Sequence, residues 1–428
     1  MEKFEPTNIK GVSDFAPAEQ IRRNQIMDIL KRNFEAYGFL PLETAMLNHY
    51  ELLSYKYGDD AEILREIYKL RDQGDRDLGL RFDLTVPFCK FIAMNRNLRL
   101  PFKRYEIGKV FRNGPVKSGR AREFYQCDVD CVGVSGPHIE AELISLAVKC
   151  YLELGINPVV RYGNRKTLKA FCLSNGVKEK DIDETIETID RINKVSKEDT
   201  ALRLSKLGFK NFEKVLKGLR ENLGSIMDAM ANDEKTKDSI EEIGLLRSEL
   251  KALGIEQYCE YEPLLARGLN IYTGNVWEVF DADGRISSSL GGGGRYDNII
   301  GNFIDNGQQY PAVGMSFGLE PICAVLNLAA QETATCIDVC IIPLGSETAA
   351  QKLANVWRAC GVRTLVNLSG KPVGKCLEYA NAEKIPFAAV LGANELKSGE
   401  INIKNMTTGE QKAFKMEDAI KIKEYVRP

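Results

Sequence analysis

Two segments of the chain, residues 102–112 and 123–132, alternate between polar and apolar positions. Successive side chains of an extended strand point to opposite faces, so each segment predicts a strand with one polar and one apolar face. A short basic loop joins them, which predicts an antiparallel hairpin. Many half-buried hairpins show this alternation, so the pattern alone indicates no ligand. The polar face carries these side chains: Arg104, Glu106, Arg112, Gln126, Asp128 and Asp130.

Helical spacing of apolar residues dominates elsewhere. Residues 18–37 and 138–154 each predict an amphipathic helix. Residues 165–250 are rich in Lys, Glu and Asp and lack strand alternation, which predicts a mostly helical, solvated insertion. From residue 336 strands and helices alternate, which predicts a small doubly wound unit with a mainly parallel sheet and a hairpin over 401–415. This unit has no G-x-G-x-x-G turn, so no dinucleotide site is predicted.

Composition changes this picture little. The chain has 428 residues, of which 44% are hydrophobic and 28% charged, and this length predicts two or three globular domains. No apolar signal region or bilayer-spanning run is evident, so we expect a cytoplasmic protein. The 11 cysteines form no C-x-x-C pair and only 2 histidines accompany them. Reduced core thiols are therefore expected, and no metal site made by protein side chains is predicted.

Charge distinguishes the hairpin from an ordinary one. Between residues 101 and 122 the only acid is Glu106, in a chain whose formal net charge is −2. A local cationic cluster indicates an anionic ligand, because the arginine fork matches phosphate oxygens. Asp128 and Asp130 follow on the polar face and suit an ammonium group, so the pattern fits an amino acid meeting ATP. The basic residues are Lys103, Arg104, Lys109, Arg112, Lys117, Arg120 and Arg122.

The hairpin sequence FKRYEIGKVFRN…GRAREFYQCDVD resembles motif 2 of the class II aminoacyl-tRNA synthetases, in the version of the histidyl-tRNA synthetases. Several long segments in the right order make a far more specific resemblance than one motif. Together they cover nearly the whole chain. The other similar segments are 11–19, 80–91, 264–278, 291–297, 310–322 (motif 3) and 338–380.

The resemblance implies an α+β fold built around a class II synthetase catalytic core, an antiparallel sheet flanked by helices. This core would comprise residues 1–164 and 251–330, interrupted by a helical insertion at 165–250. Residues 335–428 would form an α/β doubly wound anticodon-binding domain. The helix at 18–37 and the strand after it match motif 1, the dimer interface of the family, so a homodimer is expected.

The resemblance also implies the activity of a histidine–tRNA ligase. Such an enzyme joins histidine to ATP, releases pyrophosphate, and passes the histidyl group to the 3′ end of tRNA(His). Histidine, ATP and tRNA(His) are therefore the expected partners, and Mg²⁺ is expected to accompany ATP. The 113–120 loop and the C-terminal domain are expected to contact the tRNA.

Matching the family pattern residue by residue assigns the reacting groups. Arg112 and Arg267 would be the catalytic pair at the α-phosphate, and Arg120 would reach the pyrophosphate end. Gly292 and Gly293 would let the backbone pass close to ATP, although four consecutive glycines also suit a flexible loop. The residues implied for histidine binding are Asp83, Thr85, Gln126 and Asp130 near the ammonium group, with Tyr272 and Tyr296 around the imidazole.

The chain also departs from the family pattern. Pro321 stands where motif 3 normally has an arginine for the γ-phosphate, although proline suits the first turn of the helix expected near Gly318. Asn113 and Gly114 stand where an acid commonly meets the adenine amino group. The usual Asp-Tyr-Tyr of the histidine-specific segment is Asn-Ile-Tyr at 270–272, and Ala45 replaces a proline of motif 1.

These departures leave alternatives open. The first is a catalytically impaired paralogue that serves as a histidine- or tRNA-binding sensor or regulatory subunit. Pro321 and Asn113 favour this alternative. The regulatory relatives in histidine biosynthesis typically lack the C-terminal domain, which this chain has. The second is an adenylating enzyme that activates a different amino acid or uses an acceptor other than tRNA. Only Asn270 and Ile271 favour this alternative.

Overall fold

The computed structural model describes residues 5–54, 62–116, 121–190, 197–210, 212, 236–266, 271–329 and 335–427. The chain divides into two compact units. The first contains residues 1–14 and 25–330, and the second contains residues 15–24 and 331–428.

An eight-stranded sheet is the centre of the first unit, with the order β1-β5-β6-β11-β10-β9-β7-β8. All neighbours from β5 to β7 are antiparallel, and only the two outermost pairs are parallel. Strands β2, β4 and β3 form a small antiparallel sheet beside it. The strands are β1 Leu40–Pro41, β2 Leu47–His49, β3 Lys69–Arg71, β4 Asp77–Leu80, β5 Phe102–Phe111, β6 Glu123–Val132, β7 Pro158–Asn164, β8 Cys259–Tyr261, β9 Asn275–Asp281, β10 Gly291–Arg295 and β11 Ala312–Gly318.

Helices surround this sheet, and the two predicted near residues 18–37 and 138–154 are confirmed. Among the described residues, no helix combines the length and apolar character needed to cross a membrane. Up to residue 329 the α-helices are α1 Pro17–Ala36, α2 Tyr50–Ser54, α3 Glu62–Glu66, α4 Thr85–Met94, α5 His138–Glu153, α6 Arg165–Ser174, α7 Ile182–Asp190, α8 Lys197–Lys206, α9 Lys237–Ala252, α10 Ile299–Ile304 and α11 Leu319–Ala329, with 3₁₀ turns at Glu179–Asp181 and Glu256–Tyr258.

One face of the large sheet forms the main hydrophobic core. Phe34, Tyr151, Trp277 and Phe317 are buried there, and the Phe34 and Phe317 rings lie 5.3 Å apart. The apolar positions of the hairpin, such as Val129, point to the same side. This arrangement leaves the opposite face of the central strands to the polar residues of the hairpin.

The predicted helical character of residues 165–250 is confirmed for the residues that the structure describes there. Helices α6, α7 and α8 share a small core that includes Leu168, Ile186 and Leu204. Helix α9 instead buries Ile243 and Leu246 in the main core. The acidic and basic residues of this region are largely exposed, as expected for solvated helices.

The second unit has the predicted doubly wound pattern. Its sheet has the order β13-β12-β14-β15-β16, in which the first three strands are parallel and the last two form the predicted hairpin. Trp357 is buried in its core, and its indole N–H donates to the carbonyl of Met416 at 3.2 Å. The elements are β12 Val339–Pro343, α12 Glu347–Ala359, β13 Thr364–Val366, α13 Val373–Ala382, β14 Phe387–Leu391, α14 Ala393–Ser398, β15 Glu400–Asn405, β16 Gln411–Lys415 and α15 Ala419–Val426.

Candidate active site

The polar residues of the hairpin meet because of strand register. Arg104 of β5 lies opposite Asp130 of β6, and Glu106 lies opposite Asp128. On the other side of β6, strand β11 places Gly314 beside Asp130. Since alternate residues share a face, these side chains form one patch over the middle of the sheet. The patch is buried rather than solvent-exposed, with Arg104 0% and Asp130 2% exposed.

Arg104 holds the acids of this patch together. Its guanidinium lies 2.7 Å from Asp130 Oδ2 and 3.6 Å from Glu106 Oε2, and it donates to the carbonyl of Leu84 at 3.2 Å. The same group lies 4.4 Å from the ring centroid of Phe88. The interpretation of Arg104 as part of an anion-binding cluster is therefore wrong, because neighbouring carboxylates already neutralise it.

Other basic residues of the hairpin are likewise engaged. Lys103 pairs with Glu142, and Lys109 pairs with Glu123 on the neighbouring strand. Counting charges along the sequence missed these acids because they follow the basic segment or lie in α5. Three of the seven residues of the predicted cluster, Lys103, Arg104 and Lys109, thus have acidic partners, and Lys117 and Arg120 lie outside the described residues.

Glu106 is bound by residues that sequence reasoning did not single out. Arg81 lies 2.7 Å from Glu106 Oε1, and Thr44 donates to the same carboxylate through its backbone N–H and its hydroxyl, each at 3.0 Å. A side chain at position 108 would overlap the Arg81 guanidinium, which explains why Gly108 lies beside it in β5. No local sequence signal identifies this ion pair, because its members lie 25 residues apart.

Asp83 lies where β4 gives way to α4. Its Oδ1 accepts a hydrogen bond of 2.9 Å from the backbone N–H of Val86, so the carboxylate caps the first turn of the helix that Thr85 begins. Its Oδ2 is buried and accepts no hydrogen bond from the described residues. The cap orients the carboxylate and leaves one oxygen for another donor.

Apart from Asp130 Oδ2, which lies beside the Arg104 guanidinium, three buried oxygens of the patch have no hydrogen-bond donor in the described part of the chain: Asp83 Oδ2, Gln126 Oε1 and Asp128 Oδ1. Gln126 itself donates to Ser316 at 3.0 Å through its amide nitrogen, which fixes the orientation of Oε1. A buried acceptor without a donor is costly. A primary ammonium group offers three donors and a positive charge, so it can supply the hydrogen bonds that these acceptors lack.

Burial, opposed by the charge of Arg104 and assisted by that of Asp130, raises the pKa of Asp128 to about 8. Burial likewise raises the pKa of Asp130, against the effects of Arg104 and of a hydrogen bond from Tyr296. The charge of Asp83 contributes to both shifts, so the three carboxylates interact. The raised pKa favours the protonated form of Asp128, and a cation bound beside it would favour the ionised form.

The two predicted tyrosines lie at different points of the patch. Tyr296 is buried, and its hydroxyl donates to Asp130 Oδ1. Burial and the charge of Asp130 raise the pKa of Tyr296 well above its usual value, so the phenol remains a neutral donor. Tyr272 is half-buried, and its ring lies 2.7 Å from the position that a Cβ at Gly294 would take.

The glycine run forms strand β10, and the alternative of a flexible loop is wrong. The strand pairs with β9 and β11, so Gly292 and Gly294 share a face with Ser316 and the acid patch. Gly293 faces the core, where an added Cβ would lie 2.7 Å from Trp277 Cζ2. The predicted contact of Gly292 and Gly293 with ATP stays a prediction.

Arg112 directly follows β5 at the edge of the patch. Its Nε donates to the carbonyl of Phe82 at 3.1 Å, next to Asp83, and its guanidinium lies 5.1 Å from the ring centroid of Phe124. Arg120, Arg267 and Asn270 lie outside the described residues. In motif 3, α11 begins directly after β11 and places Pro321 in its first turn, as predicted.

A family model described as histidyl-tRNA synthetase matches residues 11–322 of this chain. The chain belongs to the histidyl-tRNA synthetase family. A second model, described as an anticodon binding domain, matches residues 338–424. The first match includes the whole acid patch and Arg112.

Individual histidyl-tRNA synthetases agree with this assignment over nearly their full length. Histidine–tRNA ligase 1 of Bacillus cereus is 43% identical over 415 residues, which cover 95% of each chain. Histidine–tRNA ligase 2 of Shouchella clausii is 40% identical over 96% of this chain and 98% of its own. The crystal structure of histidyl-tRNA synthetase from Nostoc sp. superposes with a TM-score of 0.85 at 27% identity, covering 99% of this chain and all of the other.

Proposed function

We propose that this protein is a histidine–tRNA ligase, which activates histidine with ATP to histidyl-adenylate and transfers the histidyl group to the 3′ end of tRNA(His). The observation that carries this proposal is the set of three buried acceptor atoms beside Arg112. In this proposal the three acceptors hold the ammonium group, and Arg112 faces the carboxylate of the same amino acid.

The first step is an in-line attack of the histidine carboxylate on the α-phosphorus of ATP. Positioning and charge neutralisation supply most of the catalysis in such a step. Asp83, Gln126 and Asp130 would hold the ammonium group, with Asp128 ionising beside it and the Thr85 hydroxyl adding a contact. Tyr272 and Tyr296 would enclose the imidazole, Tyr296 acting mainly through Asp130.

The nucleotide would lie along the adjoining edge of the sheet. Arg112 and Arg267 would neutralise the charge that grows on the α-phosphate, and Arg120 would bind the leaving pyrophosphate. Gly292, on the face of the patch, would let the nucleotide approach β10, and Gly293, which faces the core, would contribute only backbone atoms. Mg²⁺ would enter with ATP as part of the nucleotide substrate.

The test is amino-acid-dependent exchange of pyrophosphate into ATP. We expect exchange with histidine alone, and a loss of about 100- to 1000-fold in Arg112→Ala or Arg267→Ala, as for removal of one preorganised donor. Lys109→Ala is the matched control, because the Lys109 side chain lies on the opposite face of β5 and pairs with Glu123. Absence of exchange with every amino acid, while histidine or tRNA still binds, would favour a sensor.

We also propose a homodimer, supported by apolar residues that follow α1. Leu40, Met46 and Leu47 are 65%, 42% and 49% exposed, and Leu40 lies in the edge strand β1. Exposed large apolar side chains in one segment are typical of an interface. Sedimentation should give twice the 47.9 kDa of one chain, and Leu40→Glu should shift it toward the monomer. A wild-type mass near one chain at micromolar concentration would contradict the dimer.

Histidine binding is expected to tighten as the pH rises toward 8. Because the pKa of Asp128 is about 8 in the folded protein, a bound ammonium group must drive off its proton at lower pH. The affinity should rise about tenfold per pH unit below this pKa. Asp128→Asn should bind histidine like the wild type near pH 6 and much more weakly near pH 8.

Calorimetric titration at several pH values measures this profile. The imidazole of the ligand titrates in the same range, but equally with both proteins, so the ratio of their affinities isolates Asp128. A constant ratio across this range would contradict a titrating Asp128.

The proposal also covers the role of the C-terminal residues and the cellular location of the protein. We infer that residues 335–428 bind the anticodon end of tRNA(His), because the anticodon-binding model matches within them. A cytoplasmic location is supported by the 11 free cysteines of the chain, since reducing compartments preserve thiols.

A further inference from the structure

Glu66, the last residue of α3, lies against the loop that follows Arg112. Its backbone carbonyl accepts a hydrogen bond of 2.7 Å from the backbone N–H of Asn113. Its carboxylate oxygen Oε1 lies 2.6 Å from the position that a Cβ at Gly114 would take. The Glu66 carboxylate thus occupies the space of a side chain at position 114.

This carboxylate has no fixed partner within the part of the chain that the structure describes. Arg122, a cation that contacts the same loop, donates through Nε to the carbonyl of Gly114 at 3.3 Å rather than to Glu66. The carboxylates of Glu106 and Asp130, by contrast, are ion-paired with buried arginines. The hydrogen bond between Asn113 and Glu66 joins only backbone atoms, so it does not require an acid at position 66.

The resembled pattern expects an acid that meets the amino group of adenine at the place where Asn113 and Gly114 stand, and the Glu66 carboxylate lies at this place. We propose that Glu66 takes over this contact and accepts a hydrogen bond from the exocyclic amino group of ATP. The inference rests on the proposed function and adds a nucleotide-specificity residue to it. An ionised carboxylate only accepts hydrogen bonds, so it would attract the 6-amino group of adenine and repel the 6-carbonyl of hypoxanthine.

The test compares ATP with ITP, which differ at this position of the base. Histidine-dependent pyrophosphate exchange gives kcat/KM for each nucleotide in the wild type, Glu66→Ala and Glu66→Gln. We expect Glu66→Ala to lose about 10- to 100-fold with ATP, the usual range for a hydrogen bond to a charged group, and to lose nothing with ITP. Glu66→Gln keeps a neutral acceptor and should lie in between.

A reciprocal variant separates recognition from folding. Gly114 has no positive φ, so a side chain there needs space rather than an unusual backbone. In the double variant Glu66→Ala/Gly114→Glu, position 114 supplies the carboxylate that position 66 has lost. This variant should regain the preference for ATP. Gly114→Glu alone would place two carboxylates at one point and should weaken ATP binding. Glu51→Ala, in the exposed first turn of α2, is the control and should change neither nucleotide.

Failure of this inference is distinguishable from failure of the proposed function. Wild-type exchange with an unchanged ATP-to-ITP ratio in Glu66→Ala would overturn the role of Glu66 and leave the ligase intact. If no exchange is observed, calorimetric titration with ATP and with ITP, in the absence of histidine, gives the ratio of the two binding affinities instead. A wild-type preference that disappears in Glu66→Ala and returns in the double variant supports the inference in either assay.

Discussion

Gly314→Ala is expected to lose histidine-dependent pyrophosphate exchange almost completely. Gly314 lies opposite Asp130 in the sheet, and a Cβ at this position would overlap Asp130 Oδ1 and lie 3.1 Å from the carbonyl of Val129. The backbone of two paired strands cannot yield, so Asp130 must leave Arg104 and Tyr296. A misplacement of about 1 Å in a positioning group can cost about 100-fold in rate, and we expect at least that loss in kcat/KM for histidine.

Gly244→Ala is the matched control for this substitution. Gly244 lies inside α9, and an added Cβ meets nothing within 4 Å. Because alanine favours a helix over glycine, this variant should gain about 1 kcal/mol in the free energy of unfolding and exchange normally. Thermal unfolding beside histidine titration separates the two effects. Near-normal histidine affinity in Gly314→Ala would contradict the placement of Asp130 in the substrate site.

Much of the patch could be predicted because strand alternation is local. The parity of residues along 102–112 and 123–132 is enough to place Arg104, Gln126 and Asp130 on one face. The same parity, with the register of β11, brings Gly314 to that face. Helix bounds were likewise predictable, since amphipathic spacing and Pro17 define α1 within one residue of its expected limits.

Burial of the patch could not be predicted, because it depends on segments far apart in sequence. Arg81 and Thr44 reach Glu106 from loops outside the hairpin, and α4 covers Arg104 with Phe88. A charge count along the hairpin cannot see these partners. It therefore assigns Arg104 to an anionic ligand, whereas the fold uses it to hold two acids in place.

Replacing Arg104 with methionine is expected to destabilise the protein strongly. Arg104 is fully buried and faces Asp130 and Glu106. Removing one partner of a buried ion pair leaves an uncompensated charge and costs about 3–5 kcal/mol in the free energy of unfolding. Arg71→Met is the control, because the Arg71 and Asp77 side chains are 62% and 70% exposed and such pairs contribute little.

The cost of Arg104→Met should depend on pH. Arg104 lowers the pKa values of Asp128 and Asp130, which burial raises above the usual value. Without it, both acids bind protons in the folded state that they release on unfolding, so the free energy of unfolding falls as the pH rises. Denaturant unfolding should show a smaller loss of stability near pH 5 than near pH 8.

Asp130→Asn added to Arg104→Met should recover part of the loss near pH 8, because one buried charge is then absent. A loss independent of pH and unrelieved by Asp130→Asn would mean that packing of the arginine stem, rather than its charge, stabilises the patch.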